Sequence, residues 1–211
     1  GLRKPDSQNV PCLMLTASEE PYRLSEALAL GADGFLVKPV SAGLIAAHVT
    51  RAIRRHETQS RRIHRDPLTG ILNREGLEEA GVRALSFARR TDTPLALAVL
   101  DLDGFKRVND TFGHLVGDQV LRAFSNVLKE NLRREDLPAR WGGDEFVVMF
   151  PNASKHGALR ALHNVSEILR GTCLPGIPEA SDLRIGFSSG VACLGTTTRT
   201  LQDLLRVADE R

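Results

Sequence analysis

The sequence predicts an α+β domain, a sheet flanked by helices, preceded by a smaller piece of parallel α/β structure. Three observations predict this. At the front, short apolar runs alternate with helical stripes at close spacing. A charged run then intervenes, Arg54, Arg55, His56, Glu57, Arg61, Arg62, His64 and Arg65, in which Ile63 is the apolar exception. Behind it, amphipathic helices are interleaved with apolar runs and a Gly-Gly hairpin signal.

Residues 10–15 form a short apolar run suited to a buried strand. Ser18 or Glu19 opens the next helix, which turns Leu24, Ala27 and Leu28 inward and ends on Gly31. Phe35-Leu36-Val37 is a second buried strand, stopped by Lys38-Pro39. Ser41 caps a helix with Leu44, Ile45, His48, Val49, Ala52 and Ile53 on one inward stripe, and the charged run continues it.

A second domain begins near Asp66. Asn73 caps a helix with Leu77, Ala80, Ala84, Leu85 and Ala88 inward. Leu95 to Leu100 is a buried strand ending at Asp101. Residues 117–132 carry Val120, Leu121, Phe124, Val127, Leu128 and Leu132 at helical spacing. Ala139-Arg140-Trp141 and Phe146 to Phe150 flank Gly142-Gly143-Asp144-Glu145, a hairpin pattern. Ser154 opens a helix with Leu159, Leu162, Val165 and Leu169 inward. Leu183 to Leu194 alternates as a long strand, and Thr200 caps a last helix.

Composition narrows the function classes. Hydrophobic content of 42% and charged content of 26% are those of an ordinary globular chain. A net charge of +2 offers no footprint for nucleic acid or an anionic membrane. No run approaches the roughly 20 apolar residues of a membrane helix. Arg3 and Lys4 before a short apolar run mimic a signal peptide, but Pro11 and the polar Asp6-Ser7-Gln8-Asn9 reject it. The expected compartment is therefore the cytoplasm. Cys12, Cys173 and Cys193 are odd in number and widely spaced, so they read as small buried hydrophobes, not as a disulfide or zinc framework.

Two acidic features stand out. Asp101 and Asp103 sit where an apolar strand runs out, and Asp144 and Glu145 sit in a Gly-Gly hairpin. Hard divalent cations take carboxylate oxygens from rigid elements, completed by water and substrate phosphates. A strand end beside a hairpin tip brings two such groups together, and Gly142 and Gly143 let a triphosphate approach the backbone. The chemistry this suits is metal-assisted phosphoryl transfer. Singly, each feature has a bland reading: a solvated acid, a tight turn.

Four blocks in order give a family resemblance. Trp141-Gly142-Gly143-Asp144-Glu145-Phe146 resembles the signature of the GGDEF diguanylate cyclases, and Asp66-Pro67-Leu68-Thr69-Gly70-Ile71-Leu72-Asn73-Arg74 the motif that opens that domain. The run from Asp101 to His114, followed by Gly117-Asp118, is similar to its central block, and Ser188 to Ala192 to its late strand. The resemblance implies a palm-like, nucleotidyl-cyclase sheet, mainly antiparallel and flanked by helices. It implies that Asp101, the carbonyl of Leu102 and Asp144 hold Mg²⁺, with Mn²⁺ as the alternative. Glu145 would activate the 3′-hydroxyl or touch the ribose. Lys106 would face phosphate, and Asn109 and Asp118 would read guanine, whose paired N–H donors suit a carboxylate. His114 reads as a packing or hydrogen-bonding residue. The family pattern continues past Glu210 with a lysine and an arginine for the triphosphate, so a C-terminal truncation is expected.

Arg133 and Asp136, with five residues between Asp136 and Gly142, match the family's RxxD inhibitory site for cyclic di-GMP. A helix-end arginine is also an ordinary dipole partner. Residues 1–55 resemble the last part of a response-regulator receiver domain, of flavodoxin-like α/β type. Thr16 and Phe35 take its switch positions, and Lys38 its lysine before a cis-proline. Residues 56–65 are then a helical linker and 66–211 the cyclase domain. The implied activity is condensation of two GTP into cyclic di-GMP and two pyrophosphates by a homodimer. It would be inhibited by product and regulated through the receiver by a histidine kinase. The alternative is a catalytically weak module that binds cyclic di-GMP.

Overall fold

The computed structural model describes residues 11–17, 25, 29, 32–171 and 184–210. All of the helix expected over 18–31 but Ser25 and Ala29, which are helical, lies outside these, as do Cys173, and Val10 and Leu183 of the expected strands. The chain divides into two compact units, Gly1–Ile63 and His64–Arg211. His64 goes with the second because its carbonyl accepts from the Asn73 N–H at 3.1 Å and its Nδ1 lies 3.0 Å from Glu79 Oε2.

In the first unit β1 (Leu13–Thr16) pairs in parallel with β2 (Gly34–Val37), Met14 opposite Phe35. The Lys38–Pro39 peptide bond is cis. Helix α1 (Ala42–Ile63) starts where Ser41 Oγ accepts from the Leu44 N–H at 3.3 Å, and it takes in the charged run as far as Ile63, short of His64 and Arg65. Its apolar stripe is not inward as expected: Leu44, Val49 and Ile53 are exposed. The described part of this unit offers two short strands and buries only Ala32 and Leu36 fully, so the stripe lacks cover among the described residues.

The second unit is built on four strands, β3 (Leu95–Leu102), β4 (Leu137–Gly142), β5 (Glu145–Pro151) and β6 (Phe187–Cys193), in the order β4-β5-β3-β6. Every pairing is antiparallel, as expected for a palm-like sheet. The helices are α2 (Arg74–Thr91), α3 (Phe105–Phe112), α4 (His114–Asn131), α5 (Lys155–Gly171) and α6 (Leu201–Asp209). β3 is covered on both faces. Ala96, Ala98, Leu100 and Leu102 pack with residues of α4 and α5, while Leu95, Leu97 and Val99 pack with residues of α2 and α6. Each large apolar side chain so buried contributes about 1.5–3 kcal/mol. That double layer makes the end of β3 a rigid support.

Three local expectations need correction. The central helix begins at His114, and a separate helix, α3, precedes it, because the chain breaks at Gly113. Leu159 is exposed, and Ala158 takes its place in the core, one helical step round. On α2 Leu77, Leu85 and Ala88 are buried and Ala84 packs partly buried against them as expected, but Gly76 and Gly81 are buried where Ala80 is not; a side chain at Gly76 would meet the His64 carbonyl. The caps hold. Asn73 Oδ1 accepts from the Gly76 N–H at 2.8 Å, and Thr200 and Asp203 form a reciprocal capping box. Among the described residues no helix is long and apolar enough to cross a membrane.

Candidate functional site

The site grows from the end of β3. Asp101 stands in register between Glu145 of β5 and Ser188 of β6. The next residue, Leu102, donates its N–H to the Asp144 carbonyl at 3.3 Å. The sheet therefore brings Asp101, Leu102, Asp144 and Glu145 to one corner. Asp101 and Asp144 are half-buried and Glu145 is exposed. Asp103 turns away: its N–H donates to the Gly186 carbonyl at 3.0 Å, and its Oδ1 accepts from Ser188 Oγ at 2.7 Å. It locks β3 to β6.

The hairpin tip is fixed from below and from both sides. Phe146 is fully buried and packs edge-on to Phe124 of α4, ring centroids 4.7 Å apart. Trp141 lies under the Arg74 guanidinium at 4.7 Å, a cation–π contact. Gly143 takes the left-handed conformation expected of the turn (φ 32°), and its carbonyl accepts from Arg140 Nε and Nη2 at 2.9 and 2.8 Å. Arg140 Nη1 also reaches Asp66 Oδ2 at 3.3 Å.

Asp66 organises the Asp66-Pro67-Leu68-Thr69-Gly70 turn. Burial raises its pKa, but the Thr69 hydroxyl and amide and the Arg140 guanidinium outweigh that, so its carboxyl stays below the usual value of 3.8. Lys129 Nζ and Arg65 Nη1 each donate at 2.6 Å to the turn, to the Thr69 and Gly70 carbonyls. Sequence reasoning missed Arg140, Arg65 and Lys129 as parts of this frame. The one available signal was the arginine standing two residues before Gly142.

Helix α3 leaves the β3 corner, with Lys106 exposed in its first turn. Asn109 lies against the first turn of α4. A Cβ on Gly117 would sit 2.0 Å from Asn109 Oδ1, so only glycine admits that side chain beside Asp118. Asn109 and Asp118 thus share one edge, both half-buried. His114 opens α4 and is exposed, so it does not pack as expected. On the other flank, Glu145, Trp141, Arg206 and Asp209 line a small cavity of about 190 Å³. Arg206, ion-paired with Glu210 at 2.8 Å, is a cation that the sequence reading passed over.

Asp101 and the Leu102 carbonyl at the end of β3, with Asp144 in the turn between β4 and β5, are hard oxygen donors, which suits a small divalent cation. Among the described residues no group of three or more His, Cys, Asp or Glu closes around a metal. The corner is an open, two-carboxylate site of the sort that substrate phosphates complete.

Arg133 and Asp136 occupy the connection between α4 and β4. Asp136 is buried, and its Oδ2 accepts from the Arg133 N–H at 2.9 Å. Burial pushes its carboxyl up; the Arg133 amide and charge only partly oppose this, and Glu135 adds to it. Two cavities meet here: one of about 280 Å³ with Arg65, Lys129 and Arg134, the other of about 410 Å³ with Arg160 and Asn164.

In the first unit Thr16 ends β1, Phe35 is half-buried in β2, and Lys38 is exposed, its N–H donating to the Thr16 carbonyl at 2.7 Å. Cys12 and Cys193 are free thiols, and burial pushes Cys193 above its ordinary pKa.

Comparison with known proteins agrees with this construction. The family described as "Diguanylate cyclase, GGDEF domain" matches residues 63–211. The response regulator PleD of Caulobacter vibrioides is 31% identical over 97% of this chain and 47% of its own length. Diguanylate cyclase DosC of Escherichia coli is 34% identical over 75% of this chain and 33% of its own. The chain thus spans half or less of these curated relatives. Among solved structures, the coiled coil and GGDEF domain of DgcB from Caulobacter crescentus, in complex with c-di-GMP, superposes with a TM-score of 0.70 at 30% identity. That match covers 79% of this chain and 87% of that one. Diguanylate cyclase SiaD from Pseudomonas aeruginosa, in complex with its activator SiaC, gives 0.69 at 32% identity, over 79% of this chain and 64% of that one. With four motif blocks in order on a matching antiparallel sheet, the chain belongs to the GGDEF family of diguanylate cyclase domains.

Proposed function

We propose that the protein condenses two GTP molecules into cyclic di-GMP and two pyrophosphates, each domain of a homodimer holding one GTP. The observation that carries this reading is the corner where Asp101, the Leu102 carbonyl and Asp144 meet beside Lys106 and the start of α3. Helix N-termini and lysine are both suited to phosphate. A bound Mg²⁺ or Mn²⁺ would neutralise phosphate charge and lower the pKa of the attacking 3′-hydroxyl. Glu145, exposed on the same corner, is positioned to accept that proton or to hold the ribose. Asn109 and Asp118 read the guanine edge, the carboxylate accepting from N1–H and N2–H₂, donors that adenine lacks there. Lys106 answers triphosphate charge.

Arg133 and Asp136 bind the product and restrain the enzyme. Support comes from the buried Asp136 carboxylate, the adjoining cavities, and the c-di-GMP complex of the DgcB relative. The first unit is part of a receiver domain, with Thr16, Phe35 and Lys38 as its switch residues and a histidine kinase as its partner. The parallel β1–β2 pair and the match to a response regulator along 97% of the chain support it. α1 is then the coupling helix, and the cytoplasm, with its GTP, the site of action.

The test is incubation with Mg²⁺ and GTP, or ATP, followed by chromatography of the products. Cyclic di-GMP from GTP alone is the expected result. Equal use of ATP contradicts the base-reading role, and absence of any cyclic dinucleotide contradicts the activity.

A further inference from the structure

The cavity of about 280 Å³ beside the inhibitory pair is more cationic than that pair requires: Arg65, Lys129, Arg133 and Arg134 all line it, with Asp136 as its acid. Its floor is apolar, formed in part by Leu132 and Pro138. Such a volume lies at the small end of ligand pockets, roughly 300–1,000 Å³, and admits one end of a cyclic dinucleotide. The combination fits that end: an apolar floor for a purine face, and guanidiniums for a phosphodiester.

Lys129 is committed to the Thr69 carbonyl at 2.6 Å. Arg65 uses one nitrogen, Nη1, on the Gly70 carbonyl at 2.6 Å and is otherwise exposed. A guanidinium carries five N–H donors in a fixed fork, so most of those of Arg65 remain for a ligand. We propose that Arg65 is a direct, forked contact of cyclic di-GMP in this pocket, and so a third recognition residue beside Arg133 and Asp136. This rests on the proposed inhibitory site. It also gives Arg65 a purpose that the sequence did not suggest, where it reads as the end of a solvated charged run.

The contact reaches further than affinity. The Gly70 N–H donates to the Asp66 carbonyl at 2.8 Å, and the Asp66 carboxylate meets Arg140, which holds Gly143. A ligand that draws on Arg65 therefore touches the turn from which the hairpin tip is braced.

Calorimetry of cyclic di-GMP binding to the 211-residue chain tests the proposal, with Arg133→Ala, Arg65→Ala and Arg65→Lys compared against the native chain. Arg65→Lys keeps a cationic donor for the Gly70 carbonyl while removing the fork, so a merely structural role for Arg65 would leave its affinity native. The expected result is that Arg133→Ala loses binding and that both Arg65 variants bind at least tenfold more weakly. Native affinity in either Arg65 variant, with binding still lost in Arg133→Ala, overturns the Arg65 contact alone. Native affinity in Arg133→Ala overturns the inhibitory site on which it rests.

Discussion

Arg140 holds Gly143 from within the same hairpin, with two nitrogens on one carbonyl at 2.9 and 2.8 Å, while its third nitrogen reaches back 74 residues to Asp66. The tip that carries Asp144 is therefore braced by the turn that opens the domain. Both partners of the ion pair are largely buried, with side-chain exposures of 19% and 16%. Arg140→Ala should cost about 2 kcal/mol of stability by leaving the Asp66 carboxylate without its cation. It should also lower turnover at least tenfold by freeing the tip. Urea unfolding and the rate of cyclic di-GMP formation check the two effects separately.

The same pair sets an acid dependence. The Asp66 carboxyl is held below its usual value, so its contribution to stability is full above about 3.8 and is lost as pH falls through the lower folded value. Asp66→Asn should therefore be less stable than the native chain at pH 7. The two should converge in acid. Unfolding curves at a series of pH values measure the difference, and a gap that stays constant into acid argues against the assignment.

Asp136 should behave in the opposite sense. Its folded pKa is raised, chiefly by burial, so its contribution is full below the unfolded value and is lost as pH rises through the folded one. At neutral pH the buried carboxylate is a cost, tolerable if it serves a ligand. Asp136→Asn keeps an oxygen for the Arg133 N–H and removes the charge. A higher melting temperature at pH 7, together with at least tenfold weaker cyclic di-GMP binding, is the expected pair of results.

Much of this was legible in the residues. The caps at Asn73, Ser154 and Thr200 were readable because a side-chain oxygen at a helix start is a local signal. The β3 strand was readable because a strand covered on both faces is a continuous apolar run. The meeting of Asp101 with the hairpin was read from a strand end and a hairpin tip, gained weight from the family blocks, and needed the sheet order to give it form. What escaped depends on contacts distant in sequence. Apart from its place two residues before Gly142, nothing local distinguishes Arg140, which braces the tip, from Arg134 on the surface, or Asp103, locked to Ser188, from Asp101. The exposure of Leu159 and of the α1 stripe escaped for a related reason: periodicity marks an apolar face but not what covers it.

Base selection has its own test. Asp118→Ser should relax the preference for GTP over ATP by roughly tenfold or more, because a charge-assisted hydrogen bond to the base is worth about 1.5–3 kcal/mol. The ratio of kcat/KM for the two nucleotides is the quantity to compare. An unchanged ratio would leave Asn109, lodged against Gly117, as the reader of the base.

The central claim is that the corner of Asp101, Leu102 and Asp144 performs phosphoryl transfer, apart from the site that recognises product. Asp144→Ala tests it most directly when GTP turnover with Mg²⁺ and cyclic di-GMP affinity are measured on the same folded protein. Removing one of two metal carboxylates should cost several kcal/mol of transition-state stabilisation, so synthesis should fall by at least a thousandfold. Product affinity and melting temperature should stay native, since Asp144 lies outside both cavities at Arg133. Native turnover in Asp144→Ala would contradict the account.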